Sequence, residues 1–141
     1  VNTVDTVRHR MIIKLFMEND LSVILCGPPG CGKTMIINNA HRNLSGLVDP
    51  KMVFINFSSM SKPRLITKAL EQNCKQSKGN HETILKPDKK TIVFLDEINL
   101  PQPDKYDTTQ VIEYLRQITE YNFYYENEFK DSEKVRVKDI Y

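Results

Sequence analysis

Eight consecutive residues, Gly27-Pro28-Pro29-Gly30-Cys31-Gly32-Lys33-Thr34, set glycines, a lysine and a hydroxyl in an order suited to gripping a phosphate chain. They match the pattern G-x-x-x-x-G-K-[ST] in full. Glycine lets a backbone wrap an anion without an intruding side chain and tolerates unusual dihedrals. The loop amides then point inward as an anion cradle, and the helix that follows adds free N–H groups and a positive dipole end. The pattern assigns Lys33 to the β- and γ-phosphates and the Thr34 hydroxyl to Mg²⁺, so ATP or ADP with Mg²⁺ is the expected ligand. The bland alternative is a glycine turn with an exposed lysine. An apolar run before the loop and an amphipathic run after it tell against that. Cys31 fills a variable position, with no special role expected.

A second constellation lies about 60 residues further on. The apolar run Thr91-Ile92-Val93-Phe94-Leu95 ends in Asp96-Glu97. Ligands in open α/β sheets sit at the carboxyl ends of strands. Asp96 is therefore expected to hold the Mg²⁺ shell, and Glu97 to orient and polarise an attacking water. Asn56 closes another apolar run, Met52–Phe57. It either hydrogen-bonds Glu97 and holds it from water, or serves as a strand-end asparagine satisfying a turn. Lys105 and Arg116 are cations that nothing in the sequence ties to phosphate.

The elements that must position these groups follow from periodicity. Residues 6–18 read as a helix through Val7, Met11, Ile12, Leu15 and Phe16. Leu21–Cys26 reads as a strand stopped by Gly27-Pro28-Pro29-Gly30. From Lys33 a helix carries Ile36, Ile37, Ala40 and Leu44 on one side and ends at Gly46 and Pro50. Met52–Phe57 is a strand. Pro63 opens a helix with Leu65, Ile66, Ala69 and Leu70. Residues 76–90 are a polar loop with room for a small hairpin. Thr91–Leu95 is a strand, Val111, Ile112, Leu115 and Ile118 mark a helix, and Phe123–Tyr125 pairs with Val135–Val137 as a hairpin. Ile140–Tyr141 begins one more strand. Strands alternating with helices imply a parallel sheet in a three-layer α/β domain, its apolar strands buried on both sides.

Composition narrows the classes. A chain of 141 residues suggests one domain. Twenty basic against eighteen acidic residues do not advertise a nucleic-acid partner. Cys26, Cys31 and Cys74 fit neither a disulfide framework nor a zinc site, and read as reduced thiols of an intracellular protein. No apolar run approaches the roughly 20 residues that span a bilayer. The N-terminus lacks a signal-peptide pattern, and Val1, not being a methionine, reads as starting inside a longer chain.

Gly-Pro-Pro-Gly-x-Gly-Lys-Thr with a strand ending in Asp-Glu resembles the AAA+ ATPases. More specific strings surround it: Val4–His9, Ile55-Asn56-Phe57-Ser58-Ser59, Asp96-Glu97-Ile98-Asn99-Leu100-Pro101, Asp104-Lys105-Tyr106, and Val111-Ile112 with Leu115-Arg116-Gln117. Along nearly the whole chain these are similar to the third AAA+ module of cytoplasmic dynein heavy chains, more than to axonemal relatives. Two departures stand out. A glycine usual after Asp-Lys-Tyr is replaced by Asp107-Thr108-Thr109, and a paired glycine before the hairpin aromatic is replaced near Tyr121-Asn122. Both put local turn geometry in question.

The resemblance implies a P-loop NTPase fold, the AAA+ large subdomain, with residues 1–141 as a partial domain. Its fourth strand would lie between the first and third and would only be starting at Ile140–Tyr141. The later strands, the sensor residues and the helical lid would lie beyond. It also implies a cytoplasmic, microtubule-associated motor in which this module regulates activity. Its partners would be neighbouring modules of the same heavy chain, with microtubule and accessory chains reached through the rest of the molecule, and neither nucleic acid nor membrane. Two other readings stand beside it: a nucleotide-retaining structural or allosteric module, and a non-dynein AAA+ remodelling ATPase.

Overall fold

The computed structural model describes residues 3–42, 50–79, 82–125 and 133–141. Leu44 on the expected face of the second helix, and Gly46 at its expected end, lie outside them. The chain divides into two compact units, residues 1–51 with Tyr141, and residues 52–140, each described by itself below.

In the first unit, helix α1 (Val4–Glu18) opens at Thr3, which exchanges side-chain and backbone hydrogen bonds with Thr6 in a capping box. Helix α2 (Lys33–Arg42) packs against it. The buried residues of α1 are Ile13 and Met17, whereas Met11, Ile12 and Leu15 are exposed. The sequence reading chose the other face. Apolar residues run round most of the α1 circumference, so periodicity alone cannot say which side packs. On α2, Ile37 and Ala40 are buried as expected.

Leu21–Cys26 is not a strand. Leu21 is 56% and Ile24 83% exposed. The segment pairs with no strand among the described residues, and strand propensity without a ladder partner does not hold a chain extended.

The second unit contains two sheets where one parallel sheet was expected. Strands β1 (Lys51–Asn56) and β4 (Thr91–Asp96) form a two-stranded sheet. The Phe57 amide donates to the Asp96 carbonyl at 3.0 Å, so their carboxyl ends lie side by side and the strands run the same way. The other sheet has the order β2 (Lys75–Lys78), β3 (Thr83–Lys86), β6 (Lys134–Val137), β5 (Phe123–Tyr125). Strands β2 and β3 are the small antiparallel hairpin for which the polar loop left room. β3 pairs with β6 in parallel. β5 and β6 pair antiparallel, Tyr124 opposite Val135, as the hairpin reading required. Ile140 makes a parallel bridge to Thr91 at the start of β4.

One hydrophobic cluster serves both sheets. Val53, Ile55 and Phe57 meet Ile66 and Leu70 of helix α3 (Arg64–Asn73), Leu85, Val111 of helix α4 (Gln110–Tyr121), Tyr124, Val135 and Val137. β1 is buried on one face only. Its alternation sends Phe54 outward, 56% exposed, where it meets Phe94 edge-on at 5.6 Å. Burial on both sides was expected from its apolar run.

The two loops where the resemblance led to an expectation of glycine each contain a residue with left-handed backbone. Asp107 has φ 62° and Asn122 φ 57°. Aspartate and asparagine are the non-glycine residues that visit this region most readily. Asn122 caps α4, its amide donating to Ile118 at 2.9 Å, and its carbonyl accepts the Val137 amide at 2.8 Å. One strained residue thus stops the helix and ties it to β6. Asn122→Gly is expected to keep or raise stability, whereas Asn122→Val should cost about 1–2 kcal/mol; urea unfolding of the two variants checks this, and equal midpoints would refute it.

Candidate functional site

The phosphate-binding loop belongs to the first unit. Gly30 and Gly32 carry φ of +78° and +84°, a conformation closed to most side chains. At Gly30 nothing lies within 4 Å of where a Cβ would stand, so conformation alone requires glycine there. A Cβ on Gly27 would sit 3.1 Å from the Cys31 sulfur, tight enough to push the thiol aside. The Gly32 carbonyl accepts the Ile36 amide at 3.0 Å, so α2 starts directly off the second left-handed glycine. The loop backbone therefore leads straight into a helix N-terminus, the arrangement that favours anions.

Lys33, the first residue of α2, folds back over this loop. Its ammonium donates to the carbonyls of Gly27 at 2.9 Å and Pro28 at 3.0 Å, and reaches the Cys31 sulfur at 3.7 Å. An ammonium has only three donors. To bind a phosphate chain, it must exchange loop carbonyls for phosphate oxygens, a move within reach of a flexible stem. Cys31 and Cys26 are exposed.

The carboxylates belong to the second unit. Asp96 ends β4 half-buried, and its Oδ1 accepts the Glu97 amide at 3.1 Å. Glu97 is exposed and stands at φ 58°, an uncommon place for a glutamate. Its carbonyl accepts the Leu100 amide at 3.0 Å, closing a turn immediately after the strand. Asn56 is exposed at the end of β1, on the strand edge shared with Asp96. No hydrogen bond joins the Asn56 and Glu97 side chains. Each unit carries one oxygen donor of the hard kind that Mg²⁺ prefers, the Thr34 hydroxyl in the first and the Asp96 carboxylate in the second. The described residues contain no group of three or more His, Cys, Asp or Glu able to hold a metal by themselves. An open groove of about 500 Å³ beside α4, lined by Pro63, Thr108, Gln110, Tyr114 and Arg116 among others, includes none of the residues assigned to nucleotide.

The whole chain, residues 1–141, matches the family model described as a P-loop containing dynein motor region. The chain belongs to that family. It is 43% identical over 122 residues to a cytoplasmic dynein heavy chain of Paramecium tetraurelia, covering 85% of this chain and 3% of the relative. Against the cytoplasmic dynein heavy chain of Caenorhabditis elegans the identity is 39% over 128 residues, 89% of this chain and 3% of the relative. Against that of Saccharomyces cerevisiae it is 38% over 143 residues, 97% and 3% respectively. This chain thus spans about a thirtieth of the length of these dynein relatives.

Within this dynein motor region, sequence reasoning passed over Asp104. Its Oδ1 accepts the amides of Tyr106 at 2.9 Å and Thr108 at 3.1 Å, and its Oδ2 lies 3.4 Å from the Gln110 amide nitrogen. This turn delivers the chain to Thr109, the N-cap of α4, which makes no capping bond of its own. The available signal was an aspartate just before a helix start in a proline-bounded loop. The Tyr106 amide, then the Thr108 amide, hold the Asp104 carboxyl below its ordinary range.

Two predictions follow from this geometry. A depressed carboxyl stabilises the fold above its unfolded pKa of about 3.9 and loses that contribution as pH falls through the folded value. Asp104→Asn should therefore flatten the loss of stability below about pH 4; urea midpoints at pH 7 and pH 3 test it, and an unchanged acid dependence would refute it. Glu97→Gly should stabilise the chain by about 1 kcal/mol by relieving the left-handed backbone, while Glu97→Gln leaves stability unaltered. Equal melting points for the two variants would show that Glu97 carries no strain.

Proposed function

We propose that this chain is an ATP-binding AAA+ module of a dynein-type motor heavy chain, its third module, which binds and hydrolyses Mg-ATP in the intact protein and thereby regulates motor activity. The observation that carries the proposal is the loop itself: two left-handed glycines leading into α2, with the Lys33 ammonium folded across the loop carbonyls. In this reading residues 27–34 wrap the phosphates, Lys33 neutralises charge on the β- and γ-phosphates, and Thr34 with Asp96 holds Mg²⁺. Glu97 orients the attacking water, and Asn56, at the neighbouring strand end, would have to move to reach and restrain Glu97. Catalysis of this kind is mostly positioning and electrostatics. Its partners are the neighbouring modules of the heavy chain, with the microtubule and accessory chains engaged through the rest of that molecule in the cytoplasm. Among the described residues, no helix is long and apolar enough to cross a membrane.

The test is a titration of a fluorescent ATP analogue with Mg²⁺ against this chain and Lys33→Ala, both checked for folding by circular dichroism. Losing a charge-assisted contact worth about 1.5–3 kcal/mol should weaken binding tenfold or more. A folded wild type that binds no nucleotide would overturn the proposal. Glu97→Gln then separates turnover from retention: binding is kept, and hydrolysis in the heavy chain falls at least a hundredfold if Glu97 acts on water.

A further inference from the structure

Glu97 does not hold its left-handed backbone alone. Residues 58–61, which follow β1, form a turn closed by serine side chains. The Ser58 amide donates to the Ser61 hydroxyl at 2.8 Å, the two hydroxyls lie 3.2 Å apart, and the Ser61 amide returns to the Ser58 carbonyl at 3.1 Å. The turn at Glu97–Leu100 stands beside it. Two backbone bonds join the segments: Phe57 amide to Asp96 carbonyl at 3.0 Å, and Gln102 amide to Ser59 carbonyl at 3.2 Å. Glu97 lies between these two tie points. Pro101 is buried, and Ile98 packs on the core, so the segment is fixed from behind as well.

A non-glycine residue persists in a strained region only when its surroundings over-determine it. Here the surroundings are the serine turn. We infer that the Ser58–Ser61 turn is a positioning element for Glu97, with Ser61 its critical side chain. The Ser61 hydroxyl closes the turn that presents the Ser59 carbonyl. That carbonyl anchors Gln102, and the anchored segment keeps Glu97 at φ 58° with its carboxylate at the strand end. Nothing in the residue types announces this, because Ser58, Ser59 and Ser61 sit in a loop far from Glu97 along the chain. The inference rests on the proposal that Glu97 acts on water.

The variants are Ser61→Ala, which removes the acceptor for the Ser58 amide, and Ser61→Thr, which keeps it. They are assayed in the heavy chain carrying this module, its other phosphate loops disabled, beside Glu97→Gln. Misplacing a catalytic group by about an ångström costs ten- to a hundredfold in rate. Ser61→Ala should therefore lower turnover at saturating Mg-ATP about tenfold or more, leave affinity for a fluorescent ATP analogue within about twofold, and speed hydrogen exchange at the Leu100 and Gln102 amides. Ser61→Thr should restore all three. Wild-type turnover by Ser61→Ala, with turnover lost in Glu97→Gln, would overturn the positioning role alone. A parallel fall of affinity and turnover in Ser61→Ala would reduce the turn to a structural one and overturn it as well. Wild-type turnover by Glu97→Gln would sink the hydrolytic reading itself and this inference with it.

Discussion

The backbone bond between Phe57 and Asp96 is the constraint on which the second unit depends. Phe57 is 4% exposed, so its ring is fixed in the core with Val53 and Ile55 from the same face of β1. Its amide cannot be buried unpaired without a cost of several kcal/mol, and the Asp96 carbonyl supplies the partner. The register of β1 against β4 is thereby tied to core packing. A slip by one residue would turn Phe57 outward and bring Phe54 and Asn56 in. The polar residues at the strand ends, Asn56, Asp96 and Glu97, therefore share an edge because the aromatic ring at the end of the run Met52–Phe57 must stay buried. The chemistry at the edge is set by hydrophobic alternation behind it.

Left-handed backbone marks the candidate site and the connections alike. Gly30 and Gly32 take it in the phosphate loop, Glu97 after the acidic strand, Asp107 in the loop before α4, and Asn122 at its end. Glycine takes this conformation without penalty, and asparagine and aspartate with a small one. Glutamate has no such excuse, and its presence there calls for compensation by neighbouring bonds. Asp107 and Asn122 stand in the loops where the resemblance led to an expectation of glycine, and both take backbone that glycine favours, with the next most tolerant residue types.

The parts of this fold legible in the sequence are those that one segment can specify. α3 and α4 each carry an apolar stripe on an otherwise polar helix, of which Ile66, Leu70 and Val111 are buried while Leu65 and Ile112 stay exposed at its margin. β1 and β4 announce themselves by apolar content, and the phosphate loop by a pattern whose every position has a mechanism. The parts that were illegible need a partner. Leu21–Cys26 has strand composition but no ladder among the described residues. Lys75–Lys78 has no strand composition at all and is a strand because β3 pairs with it. α1 is apolar on two sides, and only packing against α2 selects Ile13 and Met17. In the candidate site the sequence offers the side chains but not the bonds that hold their segments. Ser61 and Asp104 act through backbone amides, which residue types do not encode.

Charge shows the same dependence on pairing. Twenty basic and eighteen acidic residues look evenly matched, yet residues 52–90 hold eight of the basic and three of the acidic ones, and residues 91–141 hold six and eleven. The second unit resolves the segregation across its four-stranded sheet. Lys86 of β3 meets Asp139 just past β6 at 3.1 Å, and Glu82, just before β3, takes the Arg136 guanidinium at 3.0 and 3.2 Å on its two oxygens. That hydrogen bond from Arg136 holds the Glu82 carboxyl below its ordinary value. Such exposed or half-exposed pairs add little stability singly. They agree with the register. The parallel pairing of β3 with β6 sets Ile84 against Arg136, and a shift along the strand would leave a basic hairpin facing a basic strand. Opposite charge arriving from distant sequence thus accompanies a register that the buried Leu85, Val135 and Val137 already favour.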